Sequence, residues 1–249
     1  MRRLRTVNPV LPAETGEHGG LSYSLWLPST GDGAPSGGVV ILHGAGSRKE
    51  NHHDFARAAV ALGLAAIAFD QRGHGESDGP MDARVITDVA SMAALLRERM
   101  GAPQAPLALR GSSMGGYVAI LAAAPVAARA VVAICPASAE GLGRGLAAGT
   151  LRFEADTTAL HAFLAAHDLE LAVESLVVPL LLLHAEGDEQ VPIQHSRELA
   201  RRMHVPGSRL IAIPGGHHRS IQHDADLQAV SLRFVARALA EPLAHSAWG

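Results

Sequence analysis

Four short apolar runs that do not alternate, Val39 to Leu42, Leu64 to Phe69, Ala130 to Ile134 and Pro179 to Leu183, restrict the architecture open to this chain more than any other feature. A strand that is apolar on both faces needs cover on both faces, the condition of a buried, mainly parallel sheet. Leu107 to Arg110 and Arg209 to Ile213 read as further strands. Between and after them come segments of helical character, about Phe55 to Leu62, Asp82 to Met100, Gln194 to Met203 and Ala225 to Ala240. Strand and helix in alternation predict an α/β fold, a mainly parallel central sheet covered by helices on both faces. Leu21 to Leu27 behaves differently. It alternates apolar and polar residues, the period of a half-buried antiparallel or edge strand, and the Gly-, Pro- and Ser-rich stretch Ser29 to Gly38 ends it.

No composition break divides the 249 residues, and single α/β domains reach this length, so one domain over 1–249 is expected. A hydrophobic content of 48% supplies a core without metal or disulfide staples. Residues 137–173 interrupt the rhythm and read as a small cap insertion over the site, opening with Gly141-Leu142-Gly143-Arg144-Gly145. A formal charge of −3 with no block of like charges offers nucleic acid no surface. The apolar runs fall far below the roughly 20 residues that span a bilayer, so no membrane partner is expected. Arg2, Arg3 and Arg5 resemble the start of a signal peptide, but no long apolar stretch follows. The single cysteine, Cys135, lies in an apolar run and reads as a buried inert thiol, which fits a cytoplasmic location.

Gly111-Ser112-Ser113-Met114-Gly115 has the form G-x-S-x-G and stands between an apolar run and the alanine-rich, helix-forming run Tyr117 to Ala124. A serine held up by a sharp strand-to-helix turn needs small neighbours, because the strand and the helix start approach too closely for side chains. Ser113 is therefore the candidate nucleophile. A serine hydroxyl needs a histidine to take its proton and a carboxylate to orient that histidine. Asp188 lies in the loop after Pro179 to Leu183, and His217 and His218 follow Arg209 to Ile213. Ligands in open α/β sheets bind beyond the carboxyl ends of the strands, so the three loops are expected to converge there. The resulting order is Ser, Asp, His.

These residues resemble the α/β-hydrolase superfamily. His43-Gly44-Ala45-Gly46 is similar to its oxyanion loop, and Asp70-Gln71-Arg72-Gly73-His74-Gly75-Glu76-Ser77 to its D-x-R-G-H-G-x-S turn. With the nucleophile turn, the Asp188 loop and Pro214-Gly215-Gly216-His217-His218, the likeness covers roughly residues 38–240. It implies Ser113 as nucleophile and Asp188 as acid, with Glu189 and Glu140 as rivals. It implies His218 as base, by the Pro-Gly-x-x-His offset, with His217 as the alternative. The amides of Met114 and Ala45 would form the oxyanion hole. Ala185 replaces the glycine that usually follows the histidine opening the acid loop. His43, His74, Asp70 and Arg72 are expected to stabilise turns.

No metal is expected. The cluster His52-His53-Asp54 lacks the i, i+4 spacing of helical ligands. Gly44-Ala45-Gly46-Ser47-Arg48-Lys49 departs from a dinucleotide loop where Lys49 stands for the third glycine, so no nucleotide cofactor is expected either. The resemblance implies a serine hydrolase that needs no cofactor and acts by acyl transfer on a small-molecule ester or thioester. The alternatives are a peptidase or amidase on the same residues, with Glu140, Glu154 or Asp156 meeting an amine, and a silent binding module. A short cap and an aromatic content of 4% favour small or medium acyl groups. Leu151, Phe153, Leu160 and Leu164 are candidates for an apolar acyl pocket or for cap core.

Overall fold

The computed structural model describes residues 10–29 and 35–241. The arginine cluster Arg2, Arg3 and Arg5 lies outside them. Eight strands form one sheet: β1 (Glu14–His18), β2 (Leu21–Trp26), β3 (Gly38–Leu42), β4 (Ala65–Phe69), β5 (Leu107–Ser112), β6 (Ala130–Ile134), β7 (Leu180–Ala185) and β8 (Arg209–Ile213). Their spatial order is β1-β2-β4-β3-β5-β6-β7-β8. β2 runs antiparallel to both neighbours, and every pairing from β4 through β8 is parallel.

Alternate residues of the central strands feed two cores. Val40, Leu42, Leu109 and Val131 pack against α2 (Val85–Arg99) and α3 (Met114–Ala122), while Val39, Ile41, Ala108 and Val132 pack against α1 (His53–Val60) and α8 (Ala225–Ala240). Between β6 and β7 come α4 (Ala139–Ala147), α5 (Thr157–Ala166) and α6 (Leu169–Glu174), and α7 (Ile193–Arg202) joins β7 to β8. The asparates Asp156, Asp168 and Asp224 cap α5, α6 and α8 through their side chains, each accepting from amides of the first turn.

Two expectations change. β2 is neither half-buried nor an edge: all six residues are buried, and β1 covers its outer side. Its serines read as solvent-facing, yet Ser22 donates to Glu76 and its amide donates to Ser77. α2 starts at Val85 rather than Asp82, because Met81 bridges to Ala155 and Asp82 turns the chain by accepting from the Arg84 amide. The glycine-rich opening of the 137–173 segment is helical as α4, capped by Ser138 and carrying an i, i+4 pair of Glu140 with Arg144.

Candidate active site

Ser113 directly follows β5 and stands at the N-cap of α3 with φ 53° and ψ −120°. A non-glycine residue there costs about 1–3 kcal/mol, so the surroundings must over-determine it. They do so twice. A Cβ on Gly111 would stand 2.0 Å from the Gly115 carbonyl oxygen, and one on Gly115 would stand 2.5 Å from the Leu42 and His43 oxygens. The Ser113 amide donates to Ile134 at 2.8 Å, and its carbonyl accepts from Gly116, Tyr117 and Ala137. Its hydroxyl makes no capping bond to α3 and faces an open cleft of about 1040 Å3.

Asp188 sits in the turn after β7. Its Oδ1 accepts from the amides of Gln190 and Val191, both at 2.8 Å, and its Oδ2 accepts from His218 Nδ1 at 2.7 Å. His184 Nε2 lies 3.4 Å from the same Oδ2 and 2.8 Å from the Val191 oxygen, while its Nδ1 meets Ser196. Burial alone would raise the Asp188 pKa; hydrogen bonds from His184, His218 and the two amides outweigh it and hold the carboxyl well below the usual carboxylate range. The loop after β8 is tied to this turn by Gly187 donating to Gly215, and by His218 donating its amide to Glu189.

His218 is buried against Asp188 and lines the cleft with Ser113. His217 is exposed, accepts from the Arg219 amide, and does not touch Asp188. Of the rival acids, Glu140 is exposed and paired with Arg144, and Glu189 meets the His218 backbone rather than its ring. Glu154 and Asp156 do not line the cleft.

Ala45 lines the same cleft, next to Gly44, whose added Cβ would stand 3.1 Å from that of Ser113. Behind it, His43 Nδ1 donates to the Gly44 carbonyl and its Nε2 accepts from the Gln71 amide, which fixes the tautomer. Burial holds His43 down at about 4, so the ring is neutral. His74 reaches the Arg72 carbonyl and stacks on Phe153. Lys49 donates to Asp70 at 2.9 Å and to Glu76 at 2.7 Å. Arg72 pairs with Asp88.

Met114 opens α3, where amides lack helical acceptors and the dipole favours negative charge. Its side chain faces the other way, onto a narrow apolar chamber of about 10 Å3 whose walls include Leu151, Phe153, Leu160 and Leu164. Leu142 and Leu151 border both spaces.

Sequence reasoning missed His184, whose i, i+4 spacing to Asp188 was the available signal, and the full role of Lys49. It also missed Arg110, a buried guanidinium on β5 that meets His52 and the Gln222 carbonyl and lies over the Phe55 ring. Within His52-His53-Asp54 the three side chains diverge, to Arg110, to Trp26 and to His223. Cys135, with φ 42°, brings its thiol within 4.8 Å of the Asp188 and His218 ligand atoms. Burial and the neighbouring carboxylate push that thiol well up, which disfavours the thiolate a cation would need. Asp188 and His218 moreover satisfy each other.

A family model described as serine aminopeptidase S33 matches residues 33–156, a span that contains Ala45, Asp70 and Ser113 and stops before Asp188 and His218. The chain is 28% identical over 244 residues to a monoacylglycerol lipase of Mycolicibacterium smegmatis, covering 79% of this chain and 85% of that protein. It is 33% identical over 104 residues to human monoglyceride lipase, a match that takes in 40% of this chain and 33% of that one. The solved monoacylglycerol lipase of Paleococcus ferrophilus superposes with a TM-score of 0.66 at 20% identity, covering 88% of this chain and 98% of that one. A mostly parallel eight-stranded sheet between helices and these likenesses lead to one assignment: the chain belongs to the α/β-hydrolase superfamily.

Proposed function

We propose that this protein is a serine hydrolase that cleaves a carboxylic ester through an acyl-enzyme on Ser113. The observation that carries the reading is the 2.7 Å bond from His218 to a buried Asp188, at a cleft that His218 lines together with the strained Ser113. Asp188 keeps the proton on His218 Nδ1, leaving Nε2 to accept the proton of Ser113 as Oγ attacks the ester carbon. The amides of Met114 and Ala45 receive the developing oxyanion; one such donor is worth about 3 kcal/mol of barrier. The ester C–O bond then breaks, and the alcohol oxygen leaves with the proton from His218. Water, giving its proton to the same nitrogen, adds to the acyl carbon; the bond from that carbon to Oγ then breaks, and Ser113 takes the proton back from His218 as the acid leaves. No cofactor is needed for any step.

In this reading residues 1–249 form one domain, and 137–173 is the cap, with α4 and α5 closing the apolar chamber. The short cap and the aromatic content of 4% support a small or medium acyl group. The named activities of the relatives, monoacylglycerol and monoglyceride lipases, favour an ester over a peptide bond. The cleft agrees: among the described residues lining it there is no aspartate or glutamate to meet a peptide's terminal ammonium.

A fluorophosphonate probe should label Ser113 stoichiometrically, and Ser113→Ala should abolish turnover of p-nitrophenyl acetate. Labelling at another residue, or faster cleavage of aminoacyl p-nitroanilides than of esters, would overturn the reading.

A further inference from the structure

The cleft at Ser113 has a charge opposite to that of the whole chain. The chain carries a formal −3. Yet the described residues lining the cleft include Arg144, Arg152 and Arg219 with His195, His218 and His223, and no carboxylate. Arg144 is answered by Glu140. Arg152 and Arg219 have no ion-pair partner among the described residues. Both are exposed and line the cleft together with the candidate nucleophile. Arg152 packs on the oxyanion loop, its Cβ 3.2 Å from where a Cβ on Gly46 would stand, and Arg219 directly follows His218.

Unpaired guanidinium groups gathered in a concave site focus a positive potential and raise the local concentration of anions. A planar guanidinium also suits the paired oxygens of a carboxylate or phosphate.

We propose that the alcohol portion of the ester carries an anionic group, a carboxylate or a phosphate, held between Arg152 and Arg219. The inference rests on the ester-hydrolase reading above, in which the alcohol oxygen takes its proton from His218 and so lies on the side where Arg219 emerges. Cleavage then gives a short carboxylate and an alcohol that keeps its anionic group.

The test compares acetate release from para-acetoxybenzoate and para-acetoxyphenyl phosphate with release from neutral para-acetoxybenzamide. The amide group withdraws electrons more strongly than the carboxylate, so leaving-group chemistry alone favours the neutral ester over the benzoate. The expected result is a kcat/KM about fivefold to tenfold higher for at least one anionic ester, from two partly exposed charge pairs. The excess should shrink in about 0.5 M salt. In Arg152→Gln/Arg219→Gln the anionic-to-neutral ratio should fall to near one, with the larger loss on the phosphate or on the benzoate naming the source. A wild-type ratio at or below one, or a ratio untouched by the double variant, overturns the proposal. If Ser113 is labelled by a fluorophosphonate and the anionic esters gain nothing, this inference alone falls. Absence of both labelling and turnover removes the ester-hydrolase reading, and this inference with it.

Discussion

Two buried carboxylates, Asp70 and Asp188, have side chains equally shielded from solvent, and their partners set them apart. Asp70 accepts from the amides of Lys49 and Glu76 and from the Lys49 ammonium, so its charge is met by a permanent cation. Asp188 accepts from two amides and from histidine rings, groups whose charge depends on a proton. Burial would raise both carboxyls; in each, hydrogen bonds more than offset it and leave the pKa lowered. The same burial thus serves two ends. A carboxylate facing an ammonium pins the turn behind the Gly44–Ala45 loop, and one facing an imidazole is suited to holding a proton that moves.

The largest expected effect tests the second half of that contrast. Asp188→Asn should cut kcat by about 10⁴-fold, the scale set by loss of the correct histidine tautomer, while the protein remains folded. A variant that keeps most of its activity would move the acid elsewhere. Lys49→Met should do the reverse. It leaves Asp70 buried without its cation, at a cost of about 3–5 kcal/mol in urea unfolding, with kcat per folded molecule changed little. Loss of activity without loss of stability would make Asp70 part of the chemistry and dissolve the comparison.

Acid titration probes the turn from another side. His43 titrates at about 4 in the folded chain against about 6.5 when unfolded. Below about 6.5 the unfolded state binds the extra proton, so stability should fall as pH drops towards 4, by about 3 kcal/mol from this residue. His52 and His74, also held down by burial, act with the same sign. Urea midpoints at several pH values should therefore slope less steeply in His43→Gln. An unchanged slope would put the proton elsewhere.

Ser113→Gly should end labelling and turnover while raising stability by about 1 kcal/mol, since glycine accepts positive φ without strain. Smallest of all, His217→Ala should change stability by no more than about 0.5 kcal/mol, as for an exposed side chain, and should leave ester turnover near wild type. A turnover loss as deep as that of His218→Ala would reverse the choice between the adjacent histidines.

The parallel core of the sheet was legible because strands β3 to β7 bury both faces and carry apolar residues on both. β1 was not, since Glu14–His18 is largely exposed and is held by pairing with β2 and by Glu14 meeting Tyr23 and Arg99. An edge strand that buries little leaves no hydrophobic signal. α4 was hidden by Gly141, Gly143 and Gly145, each a poor helix former at about 1 kcal/mol against alanine, and its cap and ion pair outweigh that only in context. The positions of Ser113, Asp188 and His218 at strand ends could be read from motif spacing. The arginines of the cleft could not, because Arg152 and Arg219 sit in irregular segments that no periodicity marks.

The cleft draws on the ends of β3, β5, β7 and β8, with Ser113 and His218 about a hundred residues apart. Contacts this distant in sequence close slowly, after the loop-closure entropy has been met. The elbow at Ser113, bound on both sides by β3 and β6, needs only the middle of the sheet. Its partner loop needs the far edge, where β8 adds to β7 alone. In a refolding reaction, recovered turnover is therefore a clock for the docking of the last strand, and it should lag behind helical content and core fluorescence.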